Sequence, residues 1–368
     1  MPGRIGVPAF EPASASGSDA ALKSRVGAVR PSLTAHLAGQ RQMTQRLTIK
    51  TIGIGALAGA TTALLCLGLA SGSILAVLLF FISPVPLMVA GLGFGLGAAV
   101  TGAIVAIAAN YIFANVFVAA LVALAIAAPA CATSYWLNLA RPADEVGGPQ
   151  GQLAWYPLAD VLFANALLTA LAFVVLGAMI GFGPELAGEM ATRFVARLQE
   201  VNPETAFSPD AVVNLRNFML TVVPVAQPFT WMLTLTLSIY IATAIARRSG
   251  LMKRPRDDWP RALRLPRPAI IAFMAAVLLG FVSGGIGHAA GAFSGALGAG
   301  LAMAGLAMLH ARTRGMTVRA GILLLAYVAI LVISPLILAF ITAGMFGAGR
   351  HFPLSPSGPT PPNLNRTH

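Results

Sequence analysis

With 57% hydrophobic and 10% charged residues over 368 positions, and a mean hydropathy of +0.80, the chain is too poor in charge to be a water-soluble domain, where roughly 25% is usual. A net charge of +12 would suggest nucleic acid if the basic residues gathered on one surface. They sit instead in short segments beside apolar runs, the placement that orients a chain in a bilayer, so a lipid bilayer is the expected partner and nucleic acid is not.

Residues 1–50 form a polar, basic tail with no early apolar run, so they do not read as a secretory signal peptide. Met1–Arg30 reads as disordered, and Pro31–Lys50 as either an interfacial helix or a solvated tail. Residues 51–140 contain no Asp, Glu, Lys, Arg or His. A crossing takes about 20 mostly apolar residues, so this stretch has room for four. The first is expected near Thr51–Ala70. The second, near Ile74–Ile82, is short and stops at Ser83-Pro84-Val85-Pro86, because proline removes helix donors and clashes with the preceding turn; unless Leu87–Ala90 completes it, it reads as a broken or tilted helix. The third, near Leu87–Ala109, carries Gly91, Gly93, Gly95 and Gly97, two i, i+4 pairs that let a neighbouring helix approach closely. The fourth covers roughly Val116–Leu139.

A polar loop at 141–156 leads to a fifth span, Pro157 to about Gly183. Residues 184–214 read as an amphipathic segment at the outer membrane surface, with Leu186, Met190, Phe194 and Leu198 on its apolar side. The sixth span, about Phe218–Ala246, contains Pro224 and Pro228, where a kink is expected. A basic loop at 247–267 precedes Pro268–Ala311, long enough for two spans, with Gly287, Gly291 and Gly295 as a small-residue ridge. The last span is expected at about Ala320–Phe346, and 348–368 is a Pro-rich tail that reads as unstructured. The fold class is therefore all-α, a polytopic membrane helix bundle over 51–347 with about nine spans, or eight if residues 51–140 hold only three.

With nine spans and a cytoplasmic N-terminus, 19 of the 24 basic residues fall in inside segments and 5 outside. Cytoplasmic loops collect Lys and Arg, so the chain reads as an inner (plasma) membrane protein with its N-terminus cytoplasmic and its C-terminus periplasmic.

The motifs of common enzyme classes are absent from the sequence. Lys23, Lys50 and Lys253 each follow an apolar residue rather than Gly, so there is no Walker A loop; there is no HExxH and no GxSxG. Cys66 and Cys131 lack paired Cys or His spacing and read as small packing residues. No catalytic residues, metal or cofactors are expected. Asp160 is the one carboxylate in an apolar run, read as functional or as facing an aqueous edge. His288 lies among glycines, as a ligand or proton group or as a turn residue near the outer surface. Asn110, Asn115, Asn165 and Gln227 read as lining a polar cavity or bonding between helices. The candidate binding set is thus Pro84, Pro86, Gly91, Gly93, Asn110, Asp160, Gln227 and His288. Gly95, Gly97, Gly287, Gly291 and Gly295 read as helix-packing positions.

Three segments carry a resemblance: the run Ser83-Pro-Val-Pro-Leu-Met-Val-Ala-Gly-Leu-Gly-Phe-Gly; Trp231 through Ala242 with Arg247-Arg-Ser-Gly-Leu and Trp259–Pro266; and Gly305–His310 with Arg312 and Ala320–Tyr327. Over roughly residues 50–350 they resemble the YybS-like family of bacterial membrane proteins of unknown function. That family is similar, distantly, to the substrate-binding S-components of energy-coupling-factor vitamin transporters. The resemblance implies a small-residue face, here Ala56-Leu-Ala-Gly-Ala60, for docking a coupling subunit. The chain departs from the S-component pattern in its number of spans and its long outer amphipathic segment, and no vitamin-binding residues carry over.

Three functions compete on this evidence. A transport subunit binding a small solute or lipid would need a separate energising subunit or an ion gradient. A structural or assembly protein of the cell envelope would work through helix contacts. An intramembrane enzyme using Asp160 and His288 would need them within hydrogen-bond reach, whereas the expected topology separates them by some 20–30 Å.

Overall fold

The computed structural model describes residues 48–202 and 208–348; the readings of the tails before residue 48 and after residue 348 lie outside it. Thr48 caps α1 (Ile49–Leu67) by accepting from the Thr51 amide at 3.3 Å. A 3-10 turn over Gly68–Ser71 leads to α2 (Ile74–Phe81), capped by Ser73, and then to α3 (Pro84–Phe94). α4 (Leu96–Phe113) follows at once. Asn115 caps α5 (Val116–Leu121), which passes through a π-helical turn (Val122–Ala127) into α6 (Ala128–Asn138).

The four crossings expected in residues 51–140 are present, but one boundary differs from the reading above. Pro84 and Pro86 do not end a span. Pro84 occupies the first position of α3, where its missing N–H costs nothing, so α2 and α3 form one crossing with a break at Ile82-Ser83. The chain ends that crossing at Gly95 instead, with φ 87° and ψ 172°, a conformation open to glycine and strained for other residues. Gly91 and Gly93 therefore lie on α3 and Gly97 on α4, and the i, i+4 pairs span a chain break instead of forming one ridge.

The break is compensated by hydroxyls. Thr62 of α1 donates to the Ser83 carbonyl at 3.0 Å. Ser238, on the long helix described below, donates to the Phe81 carbonyl at 3.3 Å. Backbone groups without intrahelical partners are tolerated in a membrane only when neighbours supply such bonds.

A short antiparallel pair, β1 (Ala140–Pro142) and β2 (Leu153–Trp155), closes the loop before α7 (Leu158–Met179). Then come α8 (Pro184–Val201), the 40-residue α9 (Pro209–Arg248), a single turn α10 (Trp259–Ala262), α11 (Arg267–Leu279) and α12 (Gly285–Arg312). α9 is continuous through Pro224 and Pro228. The segment 184–214 is thus two elements, α8 and the first part of α9, and α8 keeps much of its apolar side outward. It buries Ala187, Ala191 and Val195, while Met190 and Phe194 are exposed. The small residues allow close contact with α9, and the large ones stay outside.

α12 is the centre of the second half. It packs against α7, α9, α11 and α14 (Ile337–Gly347), and its Gly and Ala positions admit the neighbouring backbones. Gly291 faces Pro224 and Gly295 faces Val225, while Gly287 abuts its own preceding loop at Val282. In the first half, Gly55 and Gly59 of α1 meet Ala98 and Gly102 of α4. Residue numbers rise together across that contact, so α1 and α4 are parallel, as two crossings separated by one return must be.

The end of the chain departs from the expected single span. α13 (Arg319–Val332) is followed by a 3-10 turn at Ser334–Leu336 and then by α14. Gly298 lies by Ile341, Leu301 by Gly344 and Met308 by Gly347, so α14 runs in the same sense as α12. Gly347 also abuts Arg264, in the basic segment before α11. Residues 319–347 therefore enter and leave at one end of the bundle. Seven described helices are long and apolar enough to cross a membrane; the shorter α11 runs between the same two ends of the bundle, and residues 319–347 turn back to the end where they start.

Candidate functional site

Two places combine a cavity with polar groups. The first lies at the break between α2 and α3. Phe80, Phe81, Ser83, Pro84, the π-turn residues Ala125 and Ile126, and Trp231 and Thr234 of α9 enclose about 30 Å³, room for a water or two. Ser83 is fully buried and its Oγ has no partner in good hydrogen-bond geometry; the Cys66 thiol, a weak donor, stands beside it. π-turns inside helices recur at functional sites, but this space is too small for an organic solute.

The second is a cleft of about 180 Å³ at the opposite end of the bundle from the basic loop, where α7 finishes and α12 begins. Phe173, Val174, Gly177 and Ala178 of α7, Gly181 and Phe182 of the following turn, and Gly285, His288 and Ala289 of α12 line it. Gly181 has φ 65°, and that left-handed turn brings Phe182 back over the cleft. Phe182 meets His288 edge-on with ring centroids 5.4 Å apart, and Phe173 makes similar contacts with Phe182 and with Trp231. An imidazole beside Phe182, with Phe173 on the same wall, can donate or accept one directed hydrogen bond while the walls hold an apolar body.

The other candidate residues do not converge here. Asp160 is half-buried in the first turn of α7, where its charge complements the helix dipole. It stands at the other end of that helix from His288, roughly 30 Å away at 1.5 Å per residue. Gln227 is exposed on the outside of α9 and lines neither cavity. Asn110 is buried, donates to the Ala106 carbonyl at 2.9 Å, and leaves its Oδ1 without a partner among the described residues. Pro86 is half-buried on α3. Gly91 packs on Ser134, and its carbonyl accepts from Asn138 at 3.1 Å; Gly93 packs on Leu251. Both glycines serve helix contacts. Asn165 bonds between helices as expected, through Thr133 at 2.9 and 3.1 Å, whereas Asn115 caps α5.

The sequence reading missed Phe173, Phe182 and Gly181. Their signal was faint, an aromatic and a glycine at a span end, and the partner α12 lies about 100 residues further on. It also missed the ion pairs of the basic loop. Arg254 is buried and grips Asp257 with two bonds of 2.9 Å, donating a third to the Tyr156 carbonyl at 2.7 Å. Asp258 pairs with Arg314 and lies 3.7 Å from Arg261.

Apolar crossings, small-residue helix contacts and hydroxyl-capped breaks define a polytopic α-helical membrane protein. The family model described as "Predicted membrane protein (DUF2232)" matches residues 59–347. The chain belongs to that family of membrane proteins of unknown function. No curated protein and no solved structure matches it.

Proposed function

We propose that the protein is a non-enzymatic subunit of a bacterial inner-membrane uptake system. In this reading it takes a small, largely apolar solute, or one end of a lipid, into the cleft between α7 and α12. The observation that carries the proposal is that cleft, with one imidazole among aromatic walls and glycines that leave it open. Its volume is below the 300–1,000 Å³ of drug-sized sites, which favours a small ligand or a single chain. With no nucleotide loop in the sequence, energy would come from a separate subunit or an ion gradient. The resemblance to S-components of vitamin transporters supports the same reading. The placement of basic residues supports a cytoplasmic N-terminus and 247–267 loop, with the cleft on the periplasmic side.

The test is native mass spectrometry of full-length protein extracted gently from its own membrane, alongside His288→Ala and Phe182→Ala. A reproducible small-molecule adduct that is lost in both variants, with unfolding temperature unchanged, supports the reading. Clean apo protein, or adducts indifferent to both substitutions, would move the weight to envelope assembly. The backbone-to-backbone contacts at Gly59, Gly295, Gly305 and Gly344 favour that second reading, since they make a rigid scaffold.

A further inference from the structure

We propose that the basic end of the bundle holds the phosphate headgroup of an anionic phospholipid, at a site built on Arg247 and Arg256. The charge balance there is uneven. The described segments at that end carry thirteen Lys and Arg (Lys50, Arg141, eight in 247–267, and Arg312, Arg314 and Arg319) against five carboxylates. The two carboxylates inside the basic loop are engaged internally, Asp257 by Arg254 and Asp258 by Arg314. Asp144, Glu145 and Asp160 form no ion pair with any of these cations. Arg248, Lys253, Arg256, Arg267 and Arg312 are exposed and form no salt bridge among the described residues.

Arg247 marks the point where an anion is needed. It is half-buried in the last turn of α9, and its Nε is buried with no acceptor among the described residues. It lies within electrostatic range of Arg254 and Arg256, whose charges oppose its own, and of Asp257, whose carboxylate is already held by Arg254. A phosphate beside the partly exposed Arg247 and the exposed Arg256 would relieve the repulsion, and guanidinium forks bind phosphate through paired N–H bonds.

The position argues for a lipid as the source. Arg247 ends a membrane-crossing helix, at the depth where headgroups lie. The adjoining loop is fixed beside it by Arg314 on Asp258. The assignment is independent of the cleft reading.

Full-length protein in detergent micelles is offered dioleoylphosphatidylglycerol or dioleoylphosphatidylcholine, and retained lipid is read by native mass spectrometry. We expect selective retention of the anionic lipid, reduced roughly thirtyfold in R247Q/R256Q, the attraction expected of two basic residues at a headgroup. It should be largely restored in R247K/R256K and unchanged in R193Q/R197Q on α8. Should the double glutamine variant fail to fold, R256Q alone carries the test, since Arg256 is exposed. Equal retention of both lipids, or indifference to R247Q/R256Q and R256Q, overturns the proposal. So does inorganic phosphate binding as well as the lipid, which would make this a free-anion site. Loss of a bound acidic protein, rather than lipid, in the variants would overturn it too.

Discussion

The Arg254 guanidinium meets the Asp257 carboxylate through both oxygens at 2.9 Å, with side chains 0% and 6% exposed. Its remaining arm donates to the Tyr156 carbonyl, just ahead of α7. Two residues of the loop after α9 thereby tie it to the start of α7, nearly 100 positions earlier in the chain. Removing one partner of a buried ion pair leaves an uncompensated charge and costs about 3–5 kcal/mol. Arg254→Ala is expected to destabilise by that amount in thermal unfolding in micelles. Arg254→Met with Asp257→Leu should recover most of it, because the charge left behind is removed as well. Full stability in Arg254→Ala would show that the pair is not holding the loop.

The second clamp responds to pH. The hydrogen bond from Arg314 holds the Asp258 carboxyl below the usual carboxylate range, and the charges of Arg314, Arg261 and Arg256 add to it. A depressed folded-state pKa gives stability that is present above the unfolded value, about 3.9 for Asp, and lost as pH falls through the folded value. Docking of the 312–319 loop should therefore be constant from pH 7 to about pH 5 and weaken below about pH 4. The effect is modest, because both groups are partly exposed. Limited proteolysis at Arg312 and Arg319 across this range reads it. Asp258→Asn should remove the pH dependence and give the acid-like cleavage rate at every pH.

Much of the architecture could be read from charge alone. The stretch without ionisable residues implied four crossings, and four are present. The boundary at Gly95 was less legible because prolines suggest an ending more strongly than a glycine does. Whether Pro84 breaks a span or starts a helix depends on Thr62 and Ser238 reaching the Ser83 and Phe81 carbonyls at the break. The hairpin at 319–347 has the length and apolarity of a crossing, so only its contact with α12 reveals its direction. At the cleft, His288 stood out as an ionisable residue among glycines. The aromatic walls that give it a setting come from α7 and its turn, a tertiary relation that local pattern does not encode.

The contact between α1 and α4 leads to a third prediction. A Cβ at Gly59 would fall on the Gly102 backbone, and one at Gly102 on the Gly55 carbonyl. The Leu87 side chain beside Gly102 can swing away but the backbone in each contact cannot, so the helices must separate. Overpacking of this kind costs about 1–3 kcal/mol. Gly59→Ala and Gly102→Ala should each lower the unfolding temperature, and the double variant should cost less than the sum, since one separation serves both. Gly53→Ala, on the open side of α1 with nothing near its added methyl, should be neutral or slightly stabilising. Equal effects at all three positions would contradict the packing.

The re-entrant hairpin gives the sharpest test of the fold. Pro335 has no N–H, so the Leu331 carbonyl loses its helical partner, and the Leu336 amide turns to Ile333 at 2.8 Å. That turn ends α13, and α14 then descends along α12 until Gly347 meets Met308 and Arg264. Met316 and Ala348 must therefore lie on one side of the membrane, with Phe281, 87% exposed between α11 and α12, on the other. In a background with Cys66→Ala and Cys131→Ala, single cysteines at 316, 348 and 281 are treated with a membrane-impermeant maleimide in sealed vesicles of known sidedness. Positions 316 and 348 should label together in one vesicle orientation and 281 in the other. A cysteine at 348 that labels with 281 would mean that residues 319–347 cross the membrane, and the parallel packing of α14 on α12 would be wrong.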